Sequence, residues 1–249
     1  MTDEPVSAED RGFLYGDGLF ETVRVEDGRA RFLDRHLRRF ERSARGLAFP
    51  EEVMEAGLET LESLQERRDG LWRVTVTRPG DGAFGGGVGS VRLRHRALPG
   101  PINGEGVTIT CIEGFYFPGD RLAEHKTTSW IRSAEAKRRA RERDFDEALM
   151  VSSDGRVGEA SAANVFLRIG GGWVTPRMEG ILPGVVRSVV LDSAREQGIE
   201  VEERVVLVGD LQTCEAMALT SAGRLVTPVA EVDGMALDVG LVRDLAEAI

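Results

Sequence analysis

Three features between His125 and Arg187 carry groups that could do chemistry together. Lys126 is the lone lysine in the segment HKTTSW, Glu159 stands in the acidic turn GEASAANVF, and Gly184 opens a helix within GILPGVVR. A lysine amine can form a Schiff base with an aldehyde, and a carboxylate can keep a ring nitrogen protonated so that the ring accepts electrons. A helix N-terminus offers free N–H groups to a phosphate. Together these are the groups needed to hold and use pyridoxal phosphate.

Each feature also has an ordinary structural explanation. An isolated lysine is normally a solvated surface charge, and Glu159 could equally be a surface glutamate in a turn. Gly184 could open a plain core helix whose buried face includes Val185 and Val186. The context of Lys126 favours the chemical interpretation, because small hydroxyl residues follow it at a helix start and no charge run surrounds it. The small residues after Glu159 would leave room for a planar ring.

The elements that must position these residues alternate between strand-like and helix-like patterns, which predicts an α+β fold. Asp34 is the expected N-cap of an early helix that carries Arg39, and a bound phosphate needs a cation of this kind. Strands are expected near 20–25, 71–77, 91–98, 107–112, 147–151, 164–168, 173–175, 201–207 and 216–220, and later helices near 129–143 and 184–197.

Residues 99–106, PGPINGEG, are the best candidate for a linker. They divide the chain into a small N-terminal α/β domain, residues 1–102, and a larger C-terminal domain, residues 107–249. A glycine-rich stretch from 79 to 90 is expected to be a mobile surface loop, because ordering so many glycines costs backbone entropy. A cleft between the two halves is the expected place for a ligand.

Composition and charge exclude several classes of function. The chain has 249 residues, of which 41% are hydrophobic and 30% charged, as is typical of a soluble globular protein. Its net charge of −10 argues against a nucleic-acid partner, and the basic run KRRARER is expected to be a solvated helix face. No apolar run could span a membrane, and no histidine has metal-ligand spacing. Two distant cysteines favour a reduced, cytoplasmic setting.

Six motifs occur in order along nearly the whole chain. They are DRGFLYGDGLFETVRV, DRHLRRFERSARGL, HKTTSW, DEALMVSSDGRVGEASAANVF, GILPGVVR and LTSAGRLVTPVAEVDG. This set resembles the class IV aminotransferases, the pyridoxal-phosphate enzymes of fold type IV, which include branched-chain aminotransferases, D-amino-acid transaminases and 4-amino-4-deoxychorismate lyases. The resemblance implies a two-domain α+β fold of the D-amino-acid aminotransferase type. It also implies that the cofactor lies between the domains and that the enzyme is a homodimer.

The resemblance implies a role for each matching residue. Lys126 would be the Schiff-base lysine and the proton shuttle, and Glu159 would pair with the pyridine nitrogen of the cofactor. The larger C-terminal domain would be the cofactor-binding one. The phosphate would be bound by Arg39, by the backbone of Val185 and Val186, and by the turn at Thr220, Ser221 and Ala222. Phe20 and Glu21 match the strand that lines the substrate side.

Departures from the family pattern leave the substrate side open. Val186 replaces a threonine of several members, Ala222 replaces a hydroxyl residue, and Phe20 replaces a tyrosine of the D-amino-acid transaminases. The loop DGAFGGGVG lacks the arginine and histidine of those transaminases, and also the arginine of the GRGY motif of lyase-like members. The candidates for gripping the substrate carboxylate are Arg24, Arg73 and Arg78, with Arg78 first.

Three functions follow as alternatives. The first is an aminotransferase that moves an amino group between an amino acid and a keto acid through a lysine Schiff base. The second is a lyase that uses the same lysine to convert 4-amino-4-deoxychorismate into 4-aminobenzoate and pyruvate, without an amino acceptor. The third is a non-catalytic relative, against which intact Lys126, Glu159 and Arg39 argue. The expected partners are a small amino acid or amino-chorismate substrate and a second copy of the chain.

Overall fold

The computed structural model describes residues 5–80, 87–100, 106–247 and 249. This part of the chain forms two compact units. The first unit comprises Met1–Pro99 and His125–Trp130, and the second comprises Gly100–Glu124 and Ile131–Ile249. The sequence predicted a boundary between residues 102 and 107. The segment that carries Lys126 lies beyond this boundary along the chain, yet it belongs to the first unit. The glycine-rich stretch 79–90 and the linker 99–106 lie partly outside the described residues.

The first unit is built on one antiparallel sheet with strand order β2-β1-β3-β4. Its described elements are α1 (Arg11–Tyr15), β1 (Gly18–Glu26), β2 (Arg29–Ala30), α2 (Leu33–Gly46), α3 (Glu51–Glu62), a 3-10 turn (Ser63–Glu66), β3 (Gly70–Thr77) and β4 (Val91–Arg96). β1 pairs with β3 from Gly18 opposite Thr77 to Val25 opposite Gly70. β2 pairs only with the far end of β1, at Val25 and Glu26, so the start of β1 keeps an open edge.

Helices α2 and α3 cover one face of this sheet. Val23 and Val25 of β1, and Val74 and Val76 of β3, are completely buried in a core that also contains Phe40 of α2. In both strands these valines alternate with half-buried residues. That period of two is expected for a strand with one face on the core, so the strand predictions at 20–25 and 71–77 are confirmed.

The start of α2 differs from the prediction. The helix begins at Leu33, and the N-cap residue is Phe32, which has a left-handed backbone with φ of 55° and no side-chain hydrogen bond to the helix. Asp34 is therefore not the N-cap, and that prediction was wrong. It lies in the first turn, where its charge complements the positive end of the helix dipole and pairs with Arg38.

The second unit is built on a mixed sheet of ten strands. Its elements are β5 (Val107–Glu113), α4 (Ile131–Arg141), β6 (Glu147–Val151), β7 (Arg156–Ala160), β8 (Asn164–Ile169), β9 (Gly172–Pro176), α5 (Val185–Glu196), β10 (Val201–Arg204), β11 (Val206–Leu207), a 3-10 turn (Val208–Thr213), β12 (Cys214–Ser221), β13 (Leu225–Val232), β14 (Met235–Ala236), a 3-10 turn (Val239–Val242) and α6 (Arg243–Ala246). The strand order is β10-β9-β8-β12-β13-β5-β6-β7-β11, with β14 added on β13.

Two parts of the second unit bear on the sequence predictions. The strand expected near 201–207 is divided into β10 and β11, because β10 pairs with β9 whereas β11 pairs with β7. The basic run lies on α4, where Arg138 pairs with Glu135 and Glu142 on the exposed face. The expectation of a solvated helix face is therefore confirmed. No helix in the described part of the chain is long and apolar enough to cross a membrane.

Candidate functional site

Lys126 is held against the open edge of β1 by backbone hydrogen bonds. The Phe20 N–H donates to the Lys126 carbonyl over 2.8 Å, and the Thr128 N–H donates to the Gly18 carbonyl over 2.8 Å. Leu19 and Thr127 form the β-bridge between these two bonds. Because β2 leaves this end of β1 uncovered, the segment can pair there as a short extra strand. This pairing fixes the backbone of Lys126 within the first unit.

The side chain of Lys126 lies between two aromatic rings. Its Nζ is 4.5 Å from the ring centre of Phe20 and 4.9 Å from that of Trp130. The two rings meet edge to face with centres 5.3 Å apart. Aromatic faces attract an ammonium group and exclude water from one side of it. Trp130 was missed in the sequence, although it ends the motif HKTTSW.

The chain has only two lysines, Lys126 and Lys137. Lys137 lies on α4, and its Nζ donates to the Glu147 carboxylate over 2.7 Å in an ion pair. A lysine held in an ion pair on a helix is poorly placed to attack an aldehyde, because its nitrogen is engaged with the carboxylate. The lysine chemistry predicted from the sequence therefore has Lys126 as its one well-placed candidate in the described structure.

Arg39 forms a buried ion pair with Glu21. Its Nε donates to Glu21 Oε1 over 2.8 Å and its Nη2 donates to Oε2 over 2.6 Å. His36 Nδ1 lies 2.8 Å from the same Oε2. All three side chains are at least nine-tenths buried. Glu21 thus occupies two donors of the residue predicted to bind a phosphate, and it fixes the plane of that guanidinium.

Burial and charge set the protonation of this cluster. Burial alone raises the pKa of Glu21, but the charge and hydrogen bonds of Arg39, helped by His36, outweigh it and hold that pKa well below its usual range. Burial lowers the pKa of His36 and outweighs the opposing pull of Glu21. We conclude that Glu21 is ionised and His36 neutral near pH 7.

The side chains of Phe20 and Glu21 point to opposite faces of β1. Glu21 points to the helix face with Arg39, whereas Phe20 points to the opposite face with Lys126 and Arg73. Successive side chains of a strand alternate between faces. Phe20 therefore remains a candidate for the substrate side, and Glu21 belongs to the cluster behind the strand.

Arg78, the first candidate for binding the substrate carboxylate, makes hydrogen bonds to other residues of the chain through all three nitrogens of its guanidinium. Its Nε donates to Asp17 over 3.0 Å, while its two terminal nitrogens donate to the carbonyls of Ala48 and Leu47 over 2.6 Å each. The guanidinium also stacks on Phe49. The two carbonyls belong to a loop that the sequence did not place near Arg78. Together the three bonds leave Arg78 poorly suited to bind a substrate.

Arg73, unlike Arg78, lies against the aromatic ring that contacts Lys126. Its guanidinium carbon lies 3.5 Å from the ring centre of Phe20, the ring that also contacts Lys126. Within the described chain its one hydrogen bond runs from Nε to Thr75 Oγ1 over 3.3 Å, and no carboxylate pairs with it. Partial burial lowers its pKa, and the neighbouring charges of Arg96 and Arg94 lower it further. A carboxylate of a ligand would relieve that repulsion.

Glu159 lies on a strand and is not in a turn. It is the fourth residue of β7, and the turn follows at 161–162. Its Oε1 accepts the Leu182 N–H over 3.2 Å, and its Oε2 accepts Asn164 Nδ2 over 3.0 Å. The same Asn164 nitrogen donates to the Leu182 carbonyl over 2.8 Å. The position of the carboxylate is therefore fixed from two sides.

Helix α5 begins at Val185, as predicted, with Gly184 as its N-cap. Val185 and Val186 are buried, and no side chain caps the helix start. The first N–H groups of a helix have no partner within the helix. A Cβ at position 184 would lie 1.9 Å from Asn164 Oδ1, so glycine is needed here for close approach. The described structure therefore has the uncapped helix start that the sequence predicted at this position.

The predicted turn of Thr220, Ser221 and Ala222 lies at the end of β12. Ser221 is the last residue of that strand and Ala222 begins the turn to β13. Thr220 is opposite Asn164 in the pairing of β12 with β8. The Thr220 hydroxyl is buried without a hydrogen-bond partner among the described residues. A buried hydroxyl normally has a partner, so an oxygen-rich ligand would satisfy it.

Comparison with known proteins agrees with these observations. Residues 18–232 match the family Amino-transferase class IV. A protein of Methanocaldococcus jannaschii, provisionally named a branched-chain-amino-acid aminotransferase, is 32% identical over 95% of this chain and 85% of its own length. The aminodeoxychorismate lyase of Bacillus subtilis is 28% identical over 93% of this chain and 83% of its own.

Solved structures give the same result. The PLP-bound form of a hypothetical aminotransferase from Mycobacterium tuberculosis has a TM-score of 0.82 and 25% identity, and the match covers 100% of this chain and 93% of that one. The predicted α+β fold of type IV is therefore confirmed. Because the family match extends over most of its length, this chain belongs to the class IV aminotransferase family.

Proposed function

We propose that this chain moves an amino group between an amino acid and a keto acid, with Lys126 as the catalytic lysine and pyridoxal phosphate as the cofactor. The observation that carries this proposal is the position of the Lys126 amine between the rings of Phe20 and Trp130. The two rings hold the amine in place and exclude water from part of its surroundings, so it is positioned to react with an aldehyde. The family match and the PLP-bound relative support the cofactor.

The donor set of the chain fits this cofactor. Glu159 supplies a carboxylate for the ring nitrogen, and the uncapped start of α5 at Val185 and Val186 supplies backbone N–H groups for the phosphate. The Thr220 hydroxyl, which has no partner among the described residues, adds a donor, as do the hydroxyl and backbone of Ser221 and the backbone of Ala222. Arg39 is proposed as a further phosphate ligand through the resemblance to the family, with its guanidinium already paired with Glu21. When bound, pyridoxal phosphate supplies an aldehyde for the lysine and a ring that withdraws electrons.

Different residues of the chain would then transfer the proton and orient the reacting groups. Lys126 Nζ takes the α-proton of the substrate as a general base and returns it as a general acid. The Glu159 carboxylate keeps a proton on the ring nitrogen, which favours electron withdrawal. Phe20 and Trp130 restrict the amine to one side of the site and keep water from competing for the proton.

We propose Arg73, in place of Arg78, as the residue that binds the substrate carboxylate. Arg73→Gln is expected to raise KM by about tenfold to hundredfold, because a charge-assisted hydrogen bond contributes about 1.5–3 kcal/mol. Arg78→Gln is the matched control. It removes bonds to Asp17, Ala48 and Leu47, so it should lower thermal stability and leave KM unchanged. Steady-state kinetics with a melting curve separate the two, and the reverse pattern would restore Arg78.

The aminotransferase is tested by adding L-glutamate, without a keto acid, to protein loaded with pyridoxal phosphate. A transamination half-reaction should convert the yellow protein to the pyridoxamine phosphate form, with release of 2-oxoglutarate. The visible spectrum and the released keto acid are measured together. If neither L-glutamate nor any of a panel of other L- and D-amino acids changes the visible spectrum, the proposal fails.

The lyase is the second candidate, and the similarity to the Bacillus subtilis aminodeoxychorismate lyase favours it specifically. This reaction needs no amino acceptor, so formation of 4-aminobenzoate from 4-amino-4-deoxychorismate in the absence of a keto acid would support it. A protein that cannot be loaded with pyridoxal phosphate would instead support a non-catalytic relative. A homodimer and a cytoplasmic location stay predictions.

A further inference from the structure

We propose that Asn164 is a positioning residue that ties the carboxylate of Glu159 to the start of α5, and thereby sets the distance between the two ends of the cofactor site in the second unit. No role was assigned to Asn164 from the sequence, although it lies in the motif GEASAANVF. This inference rests on the proposed function, because it assumes that the carboxylate and the helix start bind one cofactor.

The amide of Asn164 closes a ring of three hydrogen bonds. Its Nδ2 donates both to Glu159 Oε2 over 3.0 Å and to the Leu182 carbonyl over 2.8 Å. The Leu182 N–H donates to Glu159 Oε1 over 3.2 Å and closes the ring. Asn164 is 3% exposed. The amide NH₂ has two donors, and both are used, so Glu159 cannot move without breaking a bond to Leu182 or to Asn164.

The other end of the same amide faces the helix start. Asn164 Oδ1 occupies the space where a Cβ of residue 184 would lie, only 1.9 Å from that position. Leu182 and Gly184 are the residues that lead into α5, and both touch Asn164 directly. The Asn164 amide thus lies between Glu159 on β7 and the first turn of α5 and contacts both.

The chemistry of an amide is required at this point. The two acceptors at Nδ2 are the Leu182 carbonyl and Glu159 Oε2, so an NH₂ group must face them. An aspartate at position 164 would have the same size but would present acceptors to acceptors. It would also put a second negative charge beside Glu159, and a nearby like charge raises the pKa of a carboxyl group.

A purely structural role for Asn164 makes a different prediction. In that case its loss would lower the stability of the second unit and leave cofactor binding unchanged, as the loss of any buried side-chain bond would. Thr175 provides the matched control. Its Oγ1 donates to the Val165 carbonyl over 2.8 Å, it is completely buried, and it lies on β9 of the same sheet.

The test measures the dissociation constant of pyridoxal phosphate by titrating the apo protein, together with its melting temperature without cofactor. Asn164→Ala and Asn164→Asp are expected to weaken binding by about tenfold to hundredfold, since two hydrogen bonds with a charged or buried partner are lost. Thr175→Val should lower the melting temperature but keep the wild-type dissociation constant. Asn164→Asp keeps the packing against Gly184, so it serves if Asn164→Ala fails to fold.

A double-substitution cycle with Glu159→Gln then tests the connection itself. If Asn164 acts through Glu159, removing Asn164 in the Glu159→Gln background should weaken binding much less than in the wild type. Independent effects that multiply would overturn the proposal, and so would a folded Asn164→Asp protein that binds the cofactor normally. Failure of the wild-type protein to bind pyridoxal phosphate would instead contradict the proposed function, which keeps the two failures distinct.

Discussion

Lys126→Ala is expected to lower the turnover number by at least about 10⁴-fold, to the background rate. Proton transfer by a positioned amine alone contributes up to about 10⁴-fold, equivalent to about 5 kcal/mol of activation free energy. The covalent hold on the cofactor is lost as well. Steady-state transamination with saturating cofactor and substrate is the measurement. A variant that keeps wild-type activity would show that the catalytic lysine is wrongly assigned.

Lys137→Ala is the matched control for this substitution, because it removes the other lysine of the chain. Within the described residues this substitution removes the ion pair with Glu147, and a partly exposed ion pair contributes about 1 kcal/mol or less. Turnover should therefore stay near the wild-type value. Borohydride reduction of the cofactor-loaded protein, followed by peptide mass mapping, should find the pyridoxyl group on Lys126. A label on Lys137 would reverse the assignment.

Glu21→Gln is expected to lower the free energy of unfolding by about 3–5 kcal/mol, the usual cost of leaving a buried charge without its partner. Glu21 makes two hydrogen bonds to Arg39 and one to His36, and all three side chains are buried. A glutamine retains one acceptor and turns a donor toward the guanidinium. Urea unfolding near pH 7 followed by circular dichroism measures the loss.

Glu26→Gln is the matched control, because it changes the same residue type on the same strand. Glu26 pairs with Arg24 over 2.5 Å, but its side chain is 30% exposed. A pair in contact with water is weak, so the expected loss is below about 1 kcal/mol. If both variants lose equally little, Glu21 and Arg39 do not form the buried pair described above.

The pH dependence of unfolding gives an independent check on Glu21. Its pKa is lowered on folding from an ordinary value of 4.5, so its contribution is complete above that pH and is lost as the pH falls toward the folded pKa. The pKa of His36 is lowered on folding from 6.5, which makes stability fall below that pH as the unfolded chain takes up a proton. Glu21→Gln should therefore flatten the acid limb below pH 4.5.

Much of the fold could be predicted from the sequence, because local patterns determine it. The alternation of Val23 and Val25, and of Val74 and Val76, identified β1 and β3. Gly184 followed by a valine face identified the start of α5, since that signal depends on backbone geometry within a few residues. The ordered motifs were sufficient for the family and for its fold class, and Lys126 was singled out by its context.

The faces and partners of the site residues could not be predicted, because they depend on contacts between distant segments. Phe20 and Glu21 are both almost completely buried, so alternation of burial does not reveal that they face opposite ways. Glu21 meets Arg39 only because α2 crosses the back of β1. The bonds of Arg78 to the carbonyls of Leu47 and Ala48 were not predicted, since these residues lie some thirty positions earlier in the chain.

By itself the sequence determined which residues are available and which local elements carry them. Only the tertiary structure decided that residues 125–130 return to the first unit, where the uncovered edge of β1 accepts them. It also decided that Arg73 rather than Arg78 faces the ring beside Lys126, and that Asn164 bonds to Leu182 eighteen residues away. The physical reason is the same in each case. Strand register and helix packing bring together hydrogen-bonding groups whose separation along the chain leaves no local pattern.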